Sequence, residues 1–184
     1  VDVEAAEIGP WFQPAYPLLM SLVARIARPE AMLLVAPLFA WINGLLLGAA
    51  AWACFRRRAT AAFATALYWI TPLIVWHGRG PRPEFIASAL LLSAALLLIR
   101  SLEDPSSRRA GRLAGAALGL APLFHVMAWS AAIGGAAYAA VRCLRGDKRL
   151  NGVFLPLALG LSVFLLQVFR GIDTYHLARL LEPV

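Results

Sequence analysis

Long blocks without charge alternate with short charged segments along this chain. Five blocks contain no Asp, Glu, Lys or Arg: residues 31–55, 59–78, 85–99, 113–141 and 150–169. A soluble helix carries a polar face that recurs every 3.6 residues, but Ala, Leu and Val fill every face of these blocks. A helix needs about 20 apolar residues to cross a bilayer. The pattern therefore predicts an all-α, polytopic transmembrane helix bundle with about six short or full spans.

The composition supports a membrane protein and argues against nucleic-acid binding. Hydrophobic residues make up 61% of the 184 residues and charged residues 15%, whereas soluble domains average about 45–50% and about 25%. The formal net charge is +7, but the basic residues cluster between the apolar blocks. Such clusters mark the cytoplasmic ends of membrane spans. We therefore expect the lipid bilayer as a partner, and no nucleic acid.

The basic clusters set the predicted topology. Residues 56–58 are three arginines at the end of the first block, which favours the cytoplasmic side. Residues 59–75 then return as a span, so the loop at 76–84 lies outside. Residues 85–99 form a short inward span and residues 150–168 the last outward one. Three inner clusters hold eleven of the 17 basic residues; an anionic phosphate ligand would explain the outer arginines.

The block at residues 113–141 has basic residues on both sides and allows two interpretations. It is either a pair of helices of about 14 residues each, about 21 Å long, or one long tilted helix. We favour the pair, with its break near Pro122 and His125. Gly111, Gly115 and Gly119 are spaced four apart, which permits close contact with another helix.

Three segments follow from this topology. Residues 1–30 are expected to form an outer-face juxtamembrane segment, because their apolar run is too short to span. Residues 31–169 form the transmembrane bundle, and residues 170–184 form a truncated outer-face segment. We expect the chain to be a piece of a larger protein, with the remaining part of the full-length chain as a partner.

The outer loop carries the strongest candidate chemistry. Arg79, Arg82 and Glu84 stand among glycines and prolines that shape the backbone. Pro83 suits the first turn of a helix, which would place Glu84 at a helix N-terminus, where a carboxylate is stabilised. Arginine binds phosphate with two parallel hydrogen bonds. The alternative is that Glu84 only caps its helix and pairs with Arg82.

Three further side chains are weaker candidates for ligand binding. His77 is either a phosphate or metal ligand or an ordinary interfacial histidine. His125 either binds substrate or satisfies backbone groups at the helix break. Gln13 either lines a cavity or caps a surface helix. Ionisable groups at the edges of apolar segments are costly and usually have a function.

The order of these features resembles membrane glycosyltransferases of the GT-C fold. The bacterial branch related to protein O-mannosyltransferases and to the aminoarabinose transferase of lipid A, glycosyltransferase family 39, is the most similar. Residues 11–17 (WFQPAYP) look like its outer aromatic–polar–Pro motif, and residues 79–84 (RGPRPE) look like its Arg-x-x-Arg-Pro-Asp/Glu motif. The resemblance covers most of the chain.

This resemblance implies a sugar donor on a polyprenyl phosphate and transfer on the outer, periplasmic face of the bacterial inner (plasma) membrane. It also implies an acidic catalytic base in the first outer loop, for which Asp2 or Glu4 would stand. Glu84 would orient the acceptor or a cation, so the need for a divalent cation stays open. The alternatives are a transporter or flippase, or a non-catalytic subunit, that handles lipid-linked glycans.

Overall fold

The computed structural model describes residues 15–77, 82–104 and 108–181, and it is helical throughout these ranges apart from short turns. The helices, in chain order, are α1 Ala15–Ile26, α2 Met32–Phe55, α3 Arg58–Ile70, α4 Pro72–His77, α5 Pro83–Glu103, α6 Arg108–Phe124, α7 Ala128–Leu144 and α8 Asn151–Leu181. Short 3-10 turns, Pro29–Ala31 and Lys148–Leu150, lead into α2 and α8. The predicted all-α class is confirmed for the described residues.

Three of the described segments are long and apolar enough to cross a membrane: Pro29–Phe55, Pro83–Glu103 and Lys148–Leu166. The 21 residues of α5 rise about 31 Å, which matches the hydrocarbon thickness of a bilayer. Large apolar side chains on these helices face outward, such as Leu34 (67% exposed) and Leu155 (70%), as expected of surfaces in contact with lipid. The chain is therefore a membrane protein, but a bundle of about six spans is not confirmed.

Two predicted spans have different lengths in the structure. The inward span predicted at residues 85–99 is not short, because α5 also includes Pro83 and Glu84 at one end and residues 100–103 at the other. The return span predicted at residues 59–75 is not one helix. It breaks at Thr71, which is extended (φ −62, ψ 119), because the proline that follows disfavours the helical conformation in the residue before it.

The block at residues 113–141 forms two helices, as predicted. Helices α6 and α7 have 17 residues each, about 25 Å, and the turn between them begins at His125. Pro122 does not mark the break, since it lies inside α6. The helices are longer than predicted because α6 begins at Arg108 and α7 continues to Leu144, so each takes in basic residues outside the apolar block.

Close contact between α6 and α8 organises the centre of the bundle. A Cβ at Gly115 would overlap the backbone carbonyl of Val153, and one at Gly119 would lie 2.9 Å from Leu157 O. Because 115 meets 153 and 119 meets 157, the two helices run parallel. The close helix contact predicted from the glycine spacing is confirmed, and α8 is the partner. Helix α8 also continues through the segment boundary that we predicted after residue 169.

Many of the basic residues of the described chain collect at one end of the bundle, which we call the basic end: Arg56, Arg57, Arg58, Arg100, Arg108, Arg109, Arg112, Arg142, Arg145, Lys148 and Arg149. Arg56 pairs with Glu103, which joins the ends of α2 and α5. The Arg149 Nη1 donates to Leu102 O at 2.6 Å, and this hydrogen bond joins the turn before α8 to the end of α5. Helix α5 therefore carries Glu103 at the basic end and Glu84 at the opposite end.

Candidate functional site

The first turn of α5 presents the predicted acidic residue. Arg82 is the N-cap residue in an extended conformation (φ −129, ψ 103), Pro83 occupies the first turn and Glu84 follows it. Proline fits this position because the first amide groups of a helix have no intrahelical acceptor. The unpaired amides and the helix dipole stabilise a carboxylate there. The predicted placement of Pro83 and Glu84 is confirmed.

A buried amide holds this turn against α2. Asn43 is fully buried in the middle of α2, and its Nδ2 donates to Phe85 O at 2.9 Å. A buried polar group without a partner is costly, so this hydrogen bond favours one position of α5 along α2. Glu84, the neighbour of Phe85, is therefore carried by a packed helix and not by a loose loop.

His125 faces Glu84 from the turn between α6 and α7. Its Nε2 lies 3.6 Å from the Glu84 Oε1, which is longer than a hydrogen bond but close enough for electrostatic pairing. Its Nδ1 accepts a hydrogen bond from the Met127 backbone N–H at 3.3 Å. In a neutral imidazole the other nitrogen then carries the proton, so Nε2–H points to the carboxylate. His125 thus both satisfies the backbone at the helix break and contacts the predicted site.

Tyr16 on α1 completes this group. Its ring packs against a cluster that contains Met20, Val35 and Ile86, which brings α1 to α5. Burial, and to a lesser extent the negative charge of Glu84, raises the pKa of the Tyr16 hydroxyl above its ordinary value of 10.0. The hydroxyl is therefore a neutral donor at physiological pH and lies within electrostatic range of Glu84.

Two polar atoms of this group are buried without a hydrogen-bond partner among the described residues. They are the Tyr16 hydroxyl oxygen and the Glu84 Oε2. Each such group loses its bonds to water on burial, at a cost of about 1–3 kcal/mol. A hydroxyl-bearing ligand has the donor and the acceptors that would satisfy both atoms.

A mainly apolar cavity of about 550 Å³ begins beside Glu84. Its volume lies in the usual range for small-molecule sites. The cavity follows α5 from position 84 to position 92, about 12 Å along the helix axis, and α2, α3 and α4 form its other walls. Charge is confined to one end of it, and the lining residues are Leu47, Tyr68, Ile74, Arg82, Glu84, Phe85, Ser88, Leu91 and Leu92.

The structure unites some of the predicted residues. Arg82 and Glu84 line the same cavity. Among the described residues, the basic side chain next to the Glu84 carboxylate is His125, at 3.6 Å, and the alternative pairing of Glu84 with Arg82 is not observed. His77 is the last residue of α4, and its side chain is outside the described part. Four predicted site residues also lie outside the described residues: Asp2, Glu4, Gln13 and Arg79.

Sequence reasoning missed three polar residues of the site. Tyr16 reads as an aromatic residue of the membrane interface, and its place beside Glu84 depends on how α1 packs. Tyr68 and Ser88 line the cavity, but single hydroxyls in apolar blocks give no pattern. The predicted topology did place His125 and Glu84 at the same end of the bundle, which was the available signal for their pairing.

No group of three or more His, Cys, Asp or Glu side chains with metal-binding geometry occurs in the described part of the chain. No protein-family model, curated protein or solved structure matches this chain.

Proposed function

We propose that this chain is part of a membrane glycosyltransferase that uses a polyprenyl-phosphate sugar donor on the outer face of the bacterial inner membrane. The observation that carries the proposal is the cavity beside Glu84, which has charge at one end and apolar walls along α5. A polyprenyl phosphate also has a charged end and a long apolar chain. The match in chemistry between cavity and lipid supports this class of donor.

The residues at the cavity mouth take separate roles in this proposal. Arg82 holds the donor phosphate, because a guanidinium binds phosphate oxygens with two hydrogen bonds. Arg79, three residues earlier in the sequence, is the second candidate for this role. Glu84 lies between the cavity and His125, where it orients the acceptor. The Tyr16 hydroxyl and the Nε2–H of His125 are the donors beside that carboxylate.

The proposed reaction is an inverting displacement. The acceptor oxygen forms a bond to the anomeric carbon of the donor sugar, and the bond between that carbon and the phosphate oxygen breaks. Polyprenyl phosphate leaves with the electron pair, and the arginines stabilise its charge. A carboxylate takes the acceptor proton; the candidates are Glu84 and, before the described residues, Asp2 and Glu4.

The test is sugar transfer by the full-length protein in proteoliposomes, with a radiolabelled polyprenyl-phosphate sugar as the donor. Glu84→Gln removes the charge and keeps the shape, and we expect turnover to fall by about 100-fold or more, as for loss of a general base or of the residue that positions the acceptor. Glu103→Gln is the matched control, because it changes the same residue type at the opposite end of the same helix. Transfer should stay within about twofold of the wild type, since an exposed ion pair contributes little.

Unchanged turnover in Glu84→Gln would refute the role of this carboxylate. A full-length protein that binds the donor and moves it across the bilayer, but transfers no sugar, would instead support a transporter or flippase for lipid-linked glycans.

A further inference from the structure

A second pocket lies at the basic end, on the opposite side of the bundle from Glu84. Its volume is about 500 Å³, and its lining residues are Arg108, Arg112, Lys148, Arg149, Asn151 and Gly152. We propose that this basic pocket binds a phosphate group. The proposal is independent of the transferase site, because the two pockets share no residue.

The pocket is built where the first turns of two parallel helices lie side by side. A Cβ at Gly152 on α8 would lie 3.3 Å from the Arg112 Cγ and 3.5 Å from Arg108 O on α6. Arg108 and Arg112 are four residues apart and so share one face of α6. Lys148 and Arg149 come from the 3-10 turn that leads into α8. Four cationic side chains therefore converge on one concave surface.

This arrangement is electrostatically unfavourable without an anion. The N-terminus of a helix carries about half a positive charge, and here the first turns of α6 and α8 contain no acidic residue. Two like charges four residues apart on a helix also destabilise it. Among the described residues that line the pocket there is no carboxylate.

Two acidic residues near the pocket are already engaged, since Glu103 pairs with Arg56 and Asp147 pairs with Arg142. The Asp147 carboxylate accepts a hydrogen bond from the Arg142 Nη2 at 2.6 Å and lies 3.5 Å from the Arg149 Nε. It therefore offsets one lining cation at most. The remaining positive charge calls for an external anion, and guanidinium groups suit the geometry of phosphate.

Two sources present a phosphate group at this position. The basic end lies at the membrane surface, where basic pockets between helices bind the head groups of anionic phospholipids. The other source is phosphate dissolved in the water beyond the membrane. The chemistry of recognition is the same, so the experiment has one arm for each.

The experiment uses the full-length protein in a neutral detergent. The first arm measures binding of phosphatidylglycerol against phosphatidylcholine by native mass spectrometry, and the second measures binding of inorganic phosphate by calorimetry. The pocket variant combines Arg112→Gln with Lys148→Gln. The control combines Arg57→Gln with Arg58→Gln, which removes the same charge from exposed residues at the basic end but outside the pocket.

We expect the wild type to bind at least one of the two probes. The pocket variant should bind it about tenfold or more weakly, because it lacks two of the four lining cations and each cation near an anionic group contributes about fivefold. The control should change binding by less than about twofold, because Arg57 and Arg58 do not line the pocket and exposed charges at a distance are screened by salt. The charge-keeping variant, Arg112→Lys with Lys148→Arg, should retain binding, which separates loss of charge from loss of fold. Binding of neither probe by the wild type, or an equal loss in variant and control, would overturn the proposal.

Discussion

The close packing of the parallel helices α6 and α8 leads to a prediction about stability that depends on backbone geometry alone. The substitution is Gly115→Ala, and the matched control is Gly134→Ala on α7, where a new Cβ meets nothing within 4 Å. Both sites are inside helices. In an open helical position, Gly→Ala stabilises by about 0.8–1 kcal/mol. The control should therefore be more stable than the wild type.

The same methyl group at Gly115 meets the backbone of Val153. Apart from the overlap with the carbonyl oxygen, it would lie 2.8 Å from the Val153 carbonyl carbon and 2.9 Å from its Cα, whereas carbon atoms pack at about 3.5–4.0 Å. The helices must then move apart by at least about 0.7–1 Å, and a gap of this size forfeits a quarter to a half of the dispersion energy across their interface. Overpacking of this kind costs about 1–3 kcal/mol, so a net loss of up to about 2 kcal/mol remains after the gain in helix propensity.

The assay is thermal unfolding in detergent micelles, followed by circular dichroism. At about 2–4 °C per kcal/mol for a chain of this size, Gly134→Ala should raise the Tm by about 2–4 °C. Gly115→Ala should lower the Tm by up to about 8 °C and leave it below that of the control. A Gly115→Ala protein as stable as the control would refute the close parallel packing of α6 and α8.

Two pH measurements test local geometry. The difference in tyrosinate absorbance between wild type and Tyr16→Phe should give Tyr16 a pKa above 10.0. Glu84→Gln should lower that pKa only in part, because Tyr16 stays buried. An unchanged pKa in Glu84→Gln would contradict the proximity of Tyr16 and Glu84. The hydrogen bond from Arg142 lowers the pKa of Asp147 below its ordinary value of 3.8. The ionised Asp147 carboxylate therefore stabilises the fold at pH values above 3.8, and this stabilisation is lost as the pH falls through the pKa of the folded state. Between about pH 5 and about pH 3 the Tm should therefore fall more in wild type than in Asp147→Asn, and identical slopes would exclude this contribution.

Much of the helical architecture could be predicted because the bilayer imposes a strict length and polarity on each span. The apolar blocks match α2, α5 and the first part of α8, and the basic clusters meet at one end. The helix break near His125 was predicted from the basic residues on both sides of the block at residues 113–141. The first turn of α5 was predicted from Pro83. Local signals of this kind need no knowledge of packing.

The remaining features depend on contacts between distant parts of the chain. The glycine spacing predicted a close contact but not that α8 would be the partner, because any helix can approach a glycine face. Tyr16 and His125 reach Glu84 only through the packing of α1 and of the α6–α7 turn on α5. The break at Thr71 did carry a local signal in the proline that follows it, but the apolar pattern continues across it and favoured a single span.

The central claim is that the mouth of the cavity beside Glu84 binds a phosphate-bearing lipid. Its most direct test is the affinity of the full-length protein for polyprenyl phosphate, measured by native mass spectrometry in Arg82→Gln and in the control Arg100→Gln, which removes the same charge from the last turn of the same helix. A hydrogen bond to a charged group contributes about 1.5–3 kcal/mol, so Arg82→Gln should weaken binding by about tenfold or more while Arg100→Gln leaves it unchanged. Equal affinities in wild type and Arg82→Gln would contradict the claim.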